Sequence, residues 1–537
     1  MKRVVILVTS IALILATSTI AHGKNNYNVS RIEGANRYKT SSNISKQFSN
    51  DKVNNVIIAS GRNFPDALAG SSLSKKLNAP ILLVDKDVKD SLDSIDYIKN
   101  HLNVNGNVYI LGGNASVSEN YINYIKSLGY KNIIRLGGKN RFDTNRAIIN
   151  SMNIKKGTPI VITNGYGFAD ALSVSSAAAS KGYPILMSDS KTLPDEIKAK
   201  IREIQPSKLY LIGGQGSLSN NIVTEVRNIV PSLNYSNITR VWGNSRYDTS
   251  LEICKYFNLD SDTAVIANGE NFPDALSGSA LAAKQNAPII LTNGKDMLNQ
   301  KKYLNITNYK NLILLGGSGA ISSNLENILN GTINELDIIK SKSVYNSNMK
   351  DNNGDIYSAY LYSDDKKIET AEYSWAGAQK GDRLSTGHYK IAIVKHGESE
   401  PKIYDAYDNK SITLNLNRNS VKVYKNEQSN GSDFLMIGMP VSSNISEIKL
   451  YYIKDGEVKK TYFKDKKGIK NEAYTFNSLF FNQREENIFE TATYNNMNGL
   501  FYIHSWKFDL DNGLFYNLGF RSMDQDTYFN YEKKVQQ

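Results

Sequence analysis

Along the first 330 or so residues, short apolar runs rich in β-branched side chains alternate with longer stretches of helical period. Val56-Ile57-Ile58-Ala59 and Ile160-Val161-Ile162-Thr163 are apolar runs without polar alternation, the mark of strands buried on both faces. A second strand follows at Pro80-Ile81-Leu82-Leu83-Val84, Pro184-Ile185-Leu186-Met187 and Pro288-Ile289-Ile290-Leu291, and a third ends in a double glycine. Strands separated by helices predict a parallel sheet covered on both faces. A polar, aperiodic stretch from Lys340 to Gly354 interrupts this pattern. Beyond it come short alternating strands, among them Ile391-Ala392-Ile393-Val394, Ile412-Thr413-Leu414-Asn415-Leu416 and Val421-Lys422-Val423-Tyr424. Asp455-Gly456, set between two such strands, predicts a two-residue hairpin.

Three blocks recur in one order. The first reads Gly34-Ala35-Asn36-Arg37-Tyr38-Lys39-Thr40, Gly138-Lys139-Asn140-Arg141-Phe142-Asp143-Thr144 and Gly243-Asn244-Ser245-Arg246-Tyr247-Asp248-Thr249. The second is Phe64-Pro65-Asp66-Ala67-Leu68, Phe168-Ala169-Asp170-Ala171-Leu172 and Phe272-Pro273-Asp274-Ala275-Leu276. The third is Leu111-Gly112-Gly113, Ile212-Gly213-Gly214 and Leu315-Gly316-Gly317. The arginines and aspartates recur every 104 to 105 residues and the double glycines after 101 and 103, which makes these three copies of one α/β unit. The helix after each block-two aspartate is rich in small residues, so another backbone is expected to pack closely on it. The fold expected is α/β, with three tandem Rossmann-like or Toprim-like repeats in a pseudo-threefold body, followed by a β-rich C-terminal domain. The expected limits are 31–134, 135–239 and 240–338 for the repeats and 352–537 for the β-rich domain.

The three blocks in register resemble the type 2 cell-wall-binding repeats of clostridial surface-layer and cell-wall proteins, over about residues 31–330. The resemblance implies a pseudo-threefold assembly that holds its protein noncovalently to an anionic, teichoic-acid-like secondary wall polymer. It further implies attachment through the double-glycine segments, Leu111, Gly112, Gly113, Ile212, Gly213, Gly214, Leu315, Gly316 and Gly317, with other surface-layer proteins as possible neighbours. Three positions depart from the pattern: Lys39 stands where Asp143 and Asp248 do, Ala169 replaces Pro65 and Pro273, and Val174 replaces Gly70 and Gly278.

Read from the residues themselves, a double glycine after a strand and before a helix lets backbone N–H groups converge on an anion, or simply makes a tight turn. Ser118, Ser219 and Ser322 are candidate helix caps. Arg37, Arg141 and Arg246 suit a phosphate oxygen equally as well as an internal pairing with Asp66, Asp170 and Asp274. Those aspartates read as first-turn helix acids rather than catalytic groups. No cofactor is expected, because the full G-x-G-x-x-G fingerprint of a dinucleotide site is absent.

Charge sharpens the picture. The net charge is +12, yet residues 341–537 contain 26 basic and 26 acidic side chains, so the surplus belongs to the repeats and points an acidic partner there. The resemblance implies a wall polymer, rather than nucleic acid, as that partner. Met1-Lys2-Arg3 followed by an apolar run to Ile20 and small residues at Ala21 and Gly23 predicts a cleaved secretory signal over 1–23, with no further span of membrane length. Secretion to the wall or surface layer follows as the expected location. The single cysteine, Cys254, is expected in a helix core, and the five histidines show no zinc spacing. For residues 352–537 a binding or surface-layer module is favoured; a cysteine protease is excluded there, a zinc amidase disfavoured, and a wall-anchored hydrolase remains the alternative.

Overall fold

The computed structural model describes residues 27–67, 69–375, 377–418, 420–440, 445–465, 468–477 and 480–536. The segment read as a secretory signal lies outside them. The chain divides into two compact units, Met1–Thr332 and Ile333–Gln537.

The first unit holds twelve strands: β1 (Asn28–Ile32), β2 (Val53–Ser60), β3 (Ile81–Val84), β4 (Leu102–Leu111), β5 (Asn132–Leu136), β6 (Ile160–Asn164), β7 (Ile185–Ser188), β8 (Leu209–Ile212), β9 (Ile238–Val241), β10 (Thr263–Asn268), β11 (Ile289–Thr292) and β12 (Asn311–Leu315). They form three parallel sheets in the orders β3-β2-β4-β5, β7-β6-β8-β9 and β11-β10-β12-β1. Each sheet therefore takes its fourth strand from the start of the next repeat. The third sheet is completed by the first strand of the first repeat, with Asn28 opposite Asn311 and Ile32 opposite Leu315. The repeats are closed into a ring by this exchange.

The small-residue helices Gly70–Leu77, Ala169–Lys181 and Pro273–Lys284 pack on one another at the centre of the ring. One end of the ring is sealed by Phe64, Phe168 and Phe272, whose centroids lie 5.5, 5.7 and 6.0 Å apart and whose planes meet edge to face at 61–62°. Each pair has the geometry that the aromatic quadrupole favours. One apolar core runs through all three repeats, from Ile57 and Leu73 through Ile162 and Leu186 to Val265 and Leu291. The departure at Val174 has a packing reason. A side chain at Gly70 or Gly278 would press on Leu111 or Leu315, whereas Val174 is buried beside the β-branched Ile212. Cys254 is buried as expected, and burial pushes its thiol up to about 12.

Among its described residues the second unit contains three antiparallel or mixed sheets. Asp455 and Gly456, both at positive φ, make the hairpin between Ile445–Lys454 and Glu457–Lys460. Trp506 is wholly buried in an aromatic core with Phe434, Phe463, Phe489 and Phe515, so it has no sugar-facing surface; Trp375 is half exposed. A helix at Gln525–Gln536 closes the unit, with Tyr528 stacked on Phe501 at 3.8 Å.

Overpacking a fitted core costs about 1–3 kcal/mol. Gly278→Val should lower the unfolding free energy by that amount, and Leu315→Ile in the same chain should recover part of the loss. Additive rather than compensating effects in denaturant titrations would show that the pair does not interlock.

Candidate functional site

In a parallel α/β sheet the loops at the carboxyl ends of the strands gather on one side, where ligands of such folds bind. Here that side collects all three blocks. Arg37, Arg141 and Arg246 are each the first residue of a helix, Arg37–Phe48, Arg141–Ser151 and Arg246–Phe257. The residue before each arginine caps the helix, Asn36, Asn140 and Ser245 accepting backbone N–H bonds from the first turn. A cation at a helix start opposes the helix dipole. All three copies accept this cost because the guanidinium Nη1 donates to a strand-end carbonyl, Gly61, Gly165 or Gly269, at 2.7 Å each. The cation–π contact of Arg141 with Tyr166, at 4.4 Å, adds to this in the middle copy.

Asp170 and Asp274 lie in the first turn of their central helices, as expected for first-turn acids, whereas Asp66 sits in a separate 3-10 turn, Pro65–Ala67, ahead of the helix Gly70–Leu77. Ser116 donates to Asp66, and Ser217 to Asp170 at 3.1 Å, while Ala320 occupies that place in the third copy. Burial pushes the carboxyls of Asp170 and Asp274 above the usual carboxylate range; the Ser217 hydrogen bond and Arg246 oppose this at Asp170, and Arg37 opposes it at Asp274. Arg246 belongs to the repeat after Asp170, and Arg37 closes the circle on Asp274. At these two boundaries an arginine of one repeat thus acts on an aspartate of the preceding one.

The double glycines are turns in the first place. Gly112, Gly213 and Gly316 have φ of 102°, 112° and 93°, the left-handed side that favours glycine. Their N–H groups donate to Leu136, Val241 and Ile32, continuing the exchanged-strand ladder. Their carbonyls accept from Arg135, Arg240 and Arg31 at 3.0, 2.8 and 2.7 Å. A Cβ on any of them would run into the carboxylate of Asp66, Asp170 or Asp274, so the place read as an anion cradle is filled by the chain's own acid. Leu111, Ile212 and Leu315 are fully buried, with their side chains in the core. The second glycines, Gly113, Gly214 and Gly317, are partly exposed. Their surroundings differ. Gly113 lies under the Gly138 carbonyl, Gly214 under the exposed indole of Trp242, and Gly317 beside the Glu33 carboxylate.

Two further points correct the sequence reading. Ser118 and Ser322 both stand at the N-cap, as expected, but only the Ser322 side chain accepts there, from Leu325, and Asn114 receives the Glu119 N–H in the first copy; Ser219 is not a cap, since its helix starts after Asn220. Arg31, Arg135 and Arg240, which fasten the glycine turns, are absent from the candidate list. Their signal was present, since each stands three residues before the first glycine of block one. Among the described residues no group of His, Cys, Asp and Glu is placed to hold a metal ion, and no helix is long and apolar enough to cross a membrane.

Three α/β repeats ringed by exchanged strands, with recurring arginines and aspartates at their boundaries, define a tandem wall-binding body. The family model for cell wall binding domain 2 matches residues 31–122, 135–223 and 240–326, and the chain belongs to that family. It is a cell-wall-associated surface protein. Among solved structures it is similar to Cwp6 from Clostridium difficile, at 28% identity and a TM-score of 0.51, covering 55% of this chain and 46% of that one. It is likewise similar to Cwp8 from Clostridium difficile, at 25% identity and a TM-score of 0.51, covering 57% and 52%. Of curated proteins, the N-acetylmuramoyl-L-alanine amidase LytC of Bacillus subtilis (strain 168) is 33% identical over 306 residues, 57% of this chain and 58% of its own length. The amidase enhancer of the same organism is 30% identical over 303 residues, 56% and 40%. The chain thus spans roughly half the length of the curated relatives it matches.

If the first glycines are turns held against a buried acid, Gly213→Ala should cost about 1–2 kcal/mol of stability through its φ alone, and Gly214→Ala less. Thermal unfolding of the two variants decides between turn and ligand cradle: an unchanged melting curve for Gly213→Ala would restore the cradle. The raised folded-state values of Asp170 and Asp274 carry a pH signature. A carboxyl whose pKa is higher folded than unfolded binds its proton more tightly in the native state, so its contribution falls as pH rises from 3.8 through the raised value. The Asp170→Asn/Asp274→Asn variant should therefore gain stability relative to the parent across that window, read as a difference in melting temperature against pH.

Proposed function

We propose that the three repeats hold this protein noncovalently to an anionic, teichoic-acid-like secondary polymer of the wall, and that residues 352–537 are carried there as a binding or surface-layer module. Export by the segment 1–23 and residence at the wall or surface layer, beside other surface-layer proteins, belong to the same reading. The observation that carries it is the arginine triad. Arg37, Arg141 and Arg246 stand at equivalent helix starts on the strand-end side, each giving one N–H to a carbonyl at 2.7 Å. A guanidinium has five N–H donors, so each retains the fork that suits a phosphate oxygen. The basic surplus of the repeat region supports a polyanion over a neutral glycan. Polymer contact at the double glycines is assigned to the partly exposed Gly113, Gly214 and Gly317, with Gly112, Gly213 and Gly316 shaping the turn beneath.

A fragment of residues 27–332 should sediment with isolated walls, and its retention should fall as ionic strength rises, because exposed charge contacts are screened beyond about 10 Å at 0.1 M salt. Arg37→Gln, Arg141→Gln and Arg246→Gln should each weaken retention, and the triple variant by far more than any single one, as linked contacts require. Undiminished retention by a triple variant that melts like the parent would overturn the assignment.

A further inference from the structure

Residues 341–537 are neutral overall, yet their lysines are unevenly placed. In the sheet built from Lys470–Asn471, Tyr462–Lys464, Leu514–Met523, Leu500–Asp509, Ile488–Asn495 and Phe481–Glu485, one register row reads Lys470, Lys464, Tyr516, Lys507. Directly paired residues share a face, and adjacent strands lie about 4.8 Å apart, so the row spans roughly 14 Å. The alternate residues Phe463, Phe515 and Phe508 point the other way, into the aromatic core. Lys470 and Lys507 are exposed, Lys464 and Tyr516 partly so.

Two features set this row apart from an ordinary solvated face. Lys464 and Lys470 are direct cross-strand partners, an arrangement in which like charges destabilise the pair. Among the described residues none of the three lysines has a carboxylate within 4.0 Å, although Lys449, Lys454 and Lys460 in the same unit are all ion-paired. The cations rest instead on tyrosines: Lys470 lies 3.7 Å from the Tyr462 centroid and Lys464 5.8 Å from that of Tyr516. Tyr462 also lines an adjoining cleft of 530 Å³ of mixed charge, with Lys454, Lys459 and Lys460 alongside Asp455 and Asp511.

We propose that this row is a second anion-binding surface, and that its occupant is a linear phosphodiester polymer whose phosphates meet Lys470, Lys464 and Lys507 while its sugar or polyol units lie on Tyr462 and Tyr516. Charge complementarity selects a polyanion, since only added negative charge relieves the Lys464–Lys470 repulsion. Ring faces between the cations favour carbohydrate or polyol spacers. The inference stands apart from the arginine triad and does not require it.

The test is lysine footprinting on the full chain. The protein is acetylated with and without poly(glycerol phosphate) at about ten times its Kd, and each lysine is read by mass spectrometry. Roughly 90% occupancy should slow acetylation at Lys464, Lys470 and Lys507 about tenfold, and added salt should reverse this. A neutral glucan should protect none of them. Lys470→Glu should raise the melting temperature or leave it unchanged, by giving Lys464 an opposite charge, while abolishing protection at Lys464 and Lys507. The proposal is overturned if the three lysines react equally with and without the polymer, if duplex DNA protects them as well as poly(glycerol phosphate) does, or if Lys470→Glu lowers the melting temperature.

Discussion

A carboxylate buried at the end of a parallel sheet must find donors and a nearby cation, or take up a proton. The first unit meets this demand at Asp170 and Asp274, and much of its architecture follows. Asp66, Asp170 and Asp274 lie against the first glycine of each turn, so that position has no room for a side chain. Serine donors meet the first two. Arg246 and Arg37 reach Asp170 and Asp274 from the following repeat, which makes the electrostatics of one copy depend on the presence of the next. A single repeat cut from the ring would keep its acid and lose the neighbouring cation.

The ring is symmetric in its scaffold and asymmetric in its surface. The strand exchange, the arginine-to-carbonyl bonds and the phenylalanine triangle recur with little variation. The second glycines differ, one under a backbone carbonyl, one under an indole, one beside an acid. Glu33 places a carboxylate beside the third turn, and Trp242 offers the second turn a ring on which a sugar can lie. The three boundaries thus present different chemistry to the same wall.

Much of the scaffold was readable from the sequence because it repeats: the period, the buried strands, the glycine turns and the first-turn acids all show as residue types in order. What periodicity does not carry is partner choice. A strand of five residues at the start of a repeat looks the same whether it joins its own sheet or the preceding one. The fastening arginines Arg31, Arg135 and Arg240 lie outside the three recurring blocks, and their partners are carbonyls of a turn distant in sequence, which no local pattern reports. In the second unit, alternation identified strands such as Ile391–Val394, while the lysine row depends on register between strands as short as Lys470–Asn471. No local pattern reports such a register.

Pairing Asn28 with Asn311 and Ile32 with Leu315 means that the earliest strand of the body is also the last to be housed. Synthesis runs from the amino end, so β1 waits for nearly three repeats to be made before its place beside β12 exists. Through that interval the first two sheets can form, since β5 and β9 follow directly on the repeats they complete. The third sheet has an open edge until the two ends of the body meet. An unpaired parallel edge accepts any strand of matching pattern, and a second copy of this chain carries one. The order in which the chain is made therefore sets a race between closing one's own ring and lending a strand to a neighbour, and crowding of half-made chains shifts the odds towards the loan.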